Sequence, residues 1–275
     1  MLRAPVTTRG QLSLATPPNA AVLANLYLSA VLPCLDDLAA QDPLARDIIK
    51  GVSASISLGI IGGPAATVHL RDGQVRWEAG ACRAPAVALK FLSSAHLNAF
   101  FSGRTWAVPL PAWGAWRVGV LVRFSKLAQR LQAVLDGYPA VLQTPAGRRL
   151  HARLSLITAG LGLRALAAGD PAARQALEAL PHGLAAFAIE GEENATVWFD
   201  HGSSDFAGGW GMPPRRPDVR ITFMGIDVAF GAMRDEIDQL AAVGAGRIKV
   251  EGLVPLADGL GFVMERLPLY LRRPA

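Results

Sequence analysis

The residues able to do chemistry are few and scattered. Five histidines occur, His69, His96, His151, His182 and His201. None stands in a His-Glu-x-x-His arrangement or another ligand pair at helical spacing, so no metal site is expected. His69 falls mid-strand, where it reads as a surface residue. Asp200, His201, Ser203 and Ser204 supply the residue types of a nucleophilic triad. They lack the strained Gly-x-Ser-x-Gly elbow that presents a serine for attack, and His201 falls in what reads as a hairpin turn. Gly160-Leu161-Gly162-Leu163-Arg164-Ala165 matches a dinucleotide fingerprint by letters. It lacks the tight strand-to-helix turn that such binding requires, so the glycines read as small residues for close helix packing. Cys34 and Cys82 fit no multi-cysteine zinc spacing and read as two free thiols in a reducing compartment. No catalytic residue and no cofactor is expected, and the chain reads as a non-enzyme.

The side chains that do carry a signal are apolar. Leu97, Phe100 and Phe101 recur at i, i+3 and i+4 on one helical face. Trp116, Val118 and Val120 alternate as on one face of a strand, just after Trp106 and Trp113. Later in the chain, Phe223, Ile248 and Val250 take strand positions and Phe230 and Met233 a helix, while Leu131, Phe262 and Met264 lie on closing helices. Such groups either fill an ordinary core or line a wide apolar site, where methionine adapts to varied shapes.

Composition narrows the class. The chain of 275 residues is 51% hydrophobic and 18% charged, which excludes a disordered protein. The net charge of +5 is carried mainly by arginine, with lysine only at Lys50, Lys90, Lys126 and Lys249. A basic surface attracts anionic membranes or nucleic acid. There is no long basic run, and the tryptophans do not alternate with basic residues as base-stacking platforms do, so nucleic acid is not an expected partner. The apolar stretch from Ala20 to Leu35 follows Arg3 and Arg9, as in a signal peptide. It is short for a membrane span and is interrupted by Asn25 and Pro33.

The elements that would position the apolar groups occur twice. Leu38-Ala-Ala-Gln-Asp42-Pro43-Leu-Ala-Arg46 matches Leu166-Ala-Ala-Gly-Asp170-Pro171-Ala-Ala-Arg174. Ala66-Thr67-Val68 then matches Ala195-Thr196-Val197, and Pro85-x-Val87-x-Leu89-x-Phe91 matches Pro217-x-Val219-x-Ile221-x-Phe223. Continued to the end, the same spacing pairs Gly114 with Gly246, Val118 with Val250, Leu135 with Leu267 and Tyr138 with Tyr270. The chain thus reads as a tandem duplication, with units at 18–145 and 146–275. The stretch before Asp42 has a mid-chain counterpart, Leu154 to Ala168, which cannot be a signal. The first copy is therefore expected to be a structural helix and the chain cytoplasmic.

Each unit is expected to open with a helix, Val22 to Ala40 and Arg149 to Ala168. A second helix follows, capped by Asp42-Pro43 or Asp170-Pro171, where aspartate accepts an orphan amide and proline has no amide to waste. Strands are expected over Ser53–Ile61, Ala65–Leu70, Val75–Ala79 and Ala86–Phe91, with a hairpin turn at Asp72-Gly73. Helices over Ser94–Phe101 and Ile226–Met233 come next. Last strands containing Trp116, Val118 and Val120, or Ile248 and Val250, lead to closing helices at Ser125–Leu135 and Ala257–Leu267. The pattern is α+β, a mostly antiparallel sheet covered by helices.

These motifs resemble a known family. Gly246-Arg-Ile248-Lys-Val250-Glu-Gly252-Leu-Val-Pro-Leu-Ala-Asp258 is similar to the last strand and closing turn of sterol-carrier-protein-2 (SCP2)-like domains. Thr67 to Val75 resembles their central hairpin, and Val87 to Gly103 their strand followed by a helix ending in Ser-Gly. Departures are the absence of a glycine after the strand Trp116–Val120 and the loss of the Asp-Gly turn in the second copy. The resemblance implies an apolar tunnel that takes fatty acyl chains, sterols or isoprenoid tails, with no catalytic residues. It implies non-enzymatic binding or carriage of such a ligand, for transfer or for presentation to a partner enzyme. The alternative is a scaffold protein of a lipid or quinone biosynthetic complex, with filled cores that bind nothing. The basic apolar tail from Gly261 to Arg273 could touch a membrane interface transiently. Its match to the first closing helix favours packing.

Overall fold

The computed structural model describes residues 19–192, 194–202 and 206–271. Helices α1 (Ala20–Leu26), α2 (Cys34–Gln41) and α3 (Pro43–Ile49) precede strands β1 (Ser53–Ile60), β2 (Ala65–Arg71), β3 (Gln74–Ala79) and β4 (Val87–Phe91). Helix α4 (Ser94–Phe101), strand β5 (Leu110–Trp113), the long helix α5 (Val118–Leu135) and the short α6 (Pro139–Leu142) follow. The second half runs α7 (Pro145–Gly169), α8 (Pro171–Glu178), β6 (Gly183–Ile189), β7 (Val197–His201), β8 (Phe206–Trp210) and β9 (Val219–Phe223). It closes with α9 (Ile226–Met233), α10 (Gln239–Gly244), β10 (Ile248–Gly252), α11 (Val254–Met264) and α12 (Leu267–Leu271).

The class is α+β, as expected. One five-stranded sheet has the order β3-β2-β1-β4-β5 and the other β8-β7-β6-β9-β10, so the two share one topology. In each, a central strand pairs antiparallel with the next strand and parallel with the fourth. Ile56 stands opposite Val87 and Ile60 opposite Phe91, as Ala185 stands opposite Val219 and Ile189 opposite Phe223. The first hairpin turns at Asp72 and Gly73, at φ of 41° and 85°, the positive values that an Asp-Gly turn accommodates.

Both aspartate caps are present. Asp42 accepts the Leu44 amide at 3.2 Å, and Asp170 accepts the Ala172 and Ala173 amides at 2.9 and 3.0 Å. Each also holds an arginine from the end of its half. The Nε of Arg130 donates to Asp42 at 2.7 Å, while Arg266 donates twice to Asp170, through Nε at 2.9 Å and Nη2 at 2.7 Å. Tyr270 adds its hydroxyl to the second site at 2.7 Å.

Three expectations need correction. The opening helix is not continuous: a π-helical turn, Tyr27–Val31, separates α1 from α2. Pro33 explains this, because it has no amide for the carbonyl four residues back and its ring crowds that turn. Second, Trp116, Val118 and Val120 form no strand. The last strand of the first sheet is β5, upstream, and Gly114 follows it. There φ is +74°, and a side chain would meet the Ala86 carbonyl carbon and oxygen. Gly252 is held the same way against Asp218, at φ +103°. The structural partner of Gly114 is therefore Gly252, not Gly246, and the glycine that seemed missing after the first strand is present. Third, the closing helices correspond in a different register. Buried Phe124, Leu127, Leu131 and Val134 match buried Leu260, Val263, Leu267 and Tyr270, in step with Arg130 and Arg266.

The core is continuous between the halves. Helix α7 packs on β7 and β8 of its own half and on α1, α2, α5 and the π turn of the other. Its glycines serve that packing, as the sequence suggested. A Cβ on Gly160 would come within 2.5 Å of Val197, and one on Gly162 within 2.6 Å of Leu267. Buried Arg153 on α7 donates to Asp37 on α2 at 2.7 and 3.1 Å and to Glu192 at 2.8 Å, tying the halves by charge. The run Ala20–Gln41 is long and apolar enough to cross a membrane by composition, and in this fold it packs against α7.

Candidate functional site: an apolar cavity between the halves

The register of each sheet places a row of apolar side chains on one face. In the second sheet Phe187, Ile221 and Val250 are partners across three strands, and Phe223 stands opposite Ile248. In the first sheet Leu58, Leu89 and Pro111 occupy the corresponding row. These rows open onto a partly open cavity of about 2840 Å³, walled by Leu89 and Pro111 on one side and by Phe187, Ile221, Phe223, Ile248 and Val250 on the other. Typical small-molecule sites measure roughly 300–1,000 Å³, so this one has room for a large or extended guest.

Helices supply the remaining walls. Tyr27 and Val31 of the π turn, Phe100 and Phe101 of α4, and Leu121, Phe124 and Leu131 of α5 come from the first half. Tyr27 stacks on Phe101 at a centroid distance of 4.7 Å. Met233, Ile237, Leu240, Phe262 and Met264 come from the second half. Many of these side chains are half-buried, though they belong to residue types that normally fill a core. Of the charged lining residues, Asp136, Arg234, Asp235, Asp238, Asp258 and Glu265 are exposed, while Arg266 is buried and paired with Asp170.

Of the residues singled out in the sequence, Phe100, Phe101, Leu131, Phe223, Met233, Ile248, Val250, Phe262 and Met264 line this cavity. Five do not. Leu97 is fully buried in the core beneath α4. Trp116 and Val118 point to solvent, at 66% and 60% exposure, and Val120 packs against the core from the first turn of α5. Phe230 packs edge-on against His151 at 5.6 Å, beneath the Arg234 guanidinium. Tyr27, Val31, Leu121 and Phe187 were not anticipated. Tyr27 and Val31 reach the cavity through the π turn, and Leu121 through the early start of α5. Phe187 could have been found from its strand partnership with Ile221.

The triad residue types do not assemble among the described residues. Asp200 pairs with Arg215 at 3.0 Å. His201 is no turn residue: it ends β7, buried, stacked on Phe206 and 4.7 Å from the His182 ring. Neither of its ring nitrogens has a hydrogen-bond partner among the described residues. Burial pushes its pKa down and His182 adds to this, against the Leu180 and Leu177 carbonyls. Ser203 and Ser204 lie outside the described residues. His69 sits on β2 beside Glu78, at 3.2 Å, and no cluster of metal-ligating side chains occurs among the described residues. Cys34 is buried against Thr158 and Asp37, and burial pushes its thiol up to about 12, far from a reactive thiolate.

Two solved structures are similar in part. The solution structure of the sterol carrier protein domain 2 of Helicoverpa armigera matches at 15% identity and a TM-score of 0.33, covering 44% of this chain and 92% of that one. Sterol carrier protein 2 from Yarrowia lipolytica, in its apo form, matches at 17% identity and a TM-score of 0.28, covering 38% of this chain and 90% of that one. No family model matches the chain, and no curated protein matches it.

Proposed function

We propose that this protein binds one large apolar ligand of the lipid, sterol or isoprenoid class and carries or presents it without chemical change. The observation that carries this reading is the cavity, whose lining is mainly aromatic and aliphatic and whose one buried charge, Arg266, is paired with Asp170. Transfer of an apolar chain from water into such a site is favourable by about 0.8 kcal/mol per methylene. The resemblance of the hairpin and closing-strand motifs to SCP2-like domains points the same way. On this reading the chain is two tandem SCP2-like units, 18–145 and 146–275, working in the cytoplasm. They differ from two independent carriers in sharing one cavity.

The test is native mass spectrometry of protein purified from cells, followed by organic extraction, together with titration of a fluorescent fatty acid and a fluorescent sterol. One ligand per chain is expected, and Phe223→Trp with Leu131→Trp, which fill the cavity from both halves, are expected to weaken binding at least about tenfold. A chain that arrives empty and takes up neither probe would sink the carrier reading and leave the scaffold one.

A further inference from the structure

From Ala79 to Leu135 the chain contains no Asp or Glu and seven basic residues, more positive charge than the whole protein carries net. The same stretch holds the most exposed aromatic surface. Trp106, Trp113 and Trp116 are 64%, 58% and 66% exposed, and Trp113 meets Trp116 edge-to-face at 5.0 Å. Val108, Leu110, Val118 and Val122 are exposed among them. Arg104, Arg117, Arg123 and Lys126 are exposed in the same segment, and none forms an ion pair with a described residue. Leaving three indoles in water costs burial free energy that a solitary soluble surface has no reason to forgo.

We infer that this face, β5 with the first turns of α5, docks on the surface of an anionic lipid bilayer. Indoles prefer the headgroup level because one edge is apolar and the other carries an N–H. Aliphatic neighbours extend below that level, and arginines and lysines meet the phosphates. Single-stranded nucleic acid would also meet cations and indoles, but it has no use for exposed Val108, Leu110, Val118 and Val122. A second copy of the chain fits less well. Like-charged faces would oppose one another, and Pro111 within the edge strand β5 and Pro109 just before it lack the amide donors that an added strand would use. The face is also continuous with the cavity: Val108, Pro109, Pro111 and Leu121 line it. A chain docked this way holds its cavity wall against the bilayer.

The test is flotation with vesicles of phosphatidylcholine alone and with phosphatidylglycerol added, with quenching of tryptophan fluorescence by brominated lipid. Binding is expected only to the anionic vesicles, weakening as salt screens the charge. The pair Arg117→Gln and Lys126→Gln is expected to lower affinity about fivefold per residue. The pair Trp113→Ser and Trp116→Ser is expected to abolish most of the binding and quenching, whereas Met212→Ser, still more exposed but in the other half, changes neither. These side chains are solvent-exposed, so circular dichroism of the variants should match the parent. Failure to float with anionic vesicles, or flotation indifferent to both pairs, overturns the inference. So does a dimer in solution that the tryptophan pair dissociates, or tighter binding to single-stranded oligonucleotide than to vesicles. Vesicle binding by a protein that takes up no lipid would uphold the docking face and reject the carrier reading, so the two fail separately.

Discussion

Asp170 shows how much a single side chain can hold in this fold. Burial opposes its ionisation, but the Ala173 amide, the Tyr270 hydroxyl and Arg266 outweigh burial and keep its carboxyl below the ordinary carboxylate range. Arg266 is itself buried, so Asp170→Asn would take the paired carboxylate from a cation in the core, at a cost of roughly 3–5 kcal/mol. Asp42→Asn should cost no more than about 1 kcal/mol, because its partner Arg130 is a quarter exposed and asparagine still caps. Urea denaturation of both variants checks the contrast, and equal costs would contradict it. The depressed carboxyl contributes stability above the unfolded pKa near 4 that is lost as pH falls through the folded value. Histidines act earlier in the titration. Burial pushes His201 and His151 below their usual value, with His182 adding at His201 and the Val134 carbonyl opposing at His151. The unfolded chain therefore binds protons first, and stability should fall as pH drops through about 6.5, by up to about 1.4 kcal/mol per pH unit for each histidine. His201→Phe, which keeps the stack on Phe206, should flatten that slope in denaturation curves taken at several pH values.

At the scale of elements, packing outweighs propensity in helix α7. Alanine normally stabilises a helix relative to glycine by about 1 kcal/mol. At Gly160 the added methyl would sit 2.5 Å from the β-branched Val197, so Gly160→Ala should instead lose roughly 1–3 kcal/mol through overpacking. Gly244 in α10 has open space, and Gly244→Ala should be neutral or slightly stabilising. A thermal midpoint that falls for Gly160→Ala and does not fall for Gly244→Ala would bear this out. The same balance sets what could be read from the sequence. Ser94–Phe101 and Ile226–Met233 were legible to the residue, because a serine cap or a glycine precedes a helical apolar face. The hairpin at Asp72-Gly73 was legible because few other dipeptides accept two positive φ values. The run Trp116 to Val120 was misread because alternation over five residues also fits the entry to a helix. The apolar spacing of Leu121, Phe124, Leu127 and Leu131 was the better guide to α5. Matching the two halves at a fixed spacing failed past Phe91 for a related reason. The segments before β5 and β10 differ in length, and only the close approach of Gly114 and Gly252 to the neighbouring strand marks where they realign. The cavity residues on sheets and mid-helix were legible as apolar faces. Those on the π turn were not, because the turn depends on how Pro33 is accommodated.

At the scale of the molecule, the two halves are tied together, since Arg153 bridges Asp37 and Glu192 and α7 packs against helices of both halves. Calorimetry should show one unfolding transition, with calorimetric and van't Hoff enthalpies equal; two resolved transitions would mean that each half closes its own core. Helix α7 belongs to the second half by sequence and packs on helices of the first half. That division has a consequence during synthesis. A ribosome adds roughly 5–20 residues per second, and domains ordinarily fold as they emerge. Here helices α1, α2 and α5 and the π turn leave the ribosome without the helix they pack on, and residues 145–169 must follow before that flank is shielded. The nascent first half therefore passes through an interval with its apolar flank bare, in which chaperones would find it and premature release would leave it to aggregate.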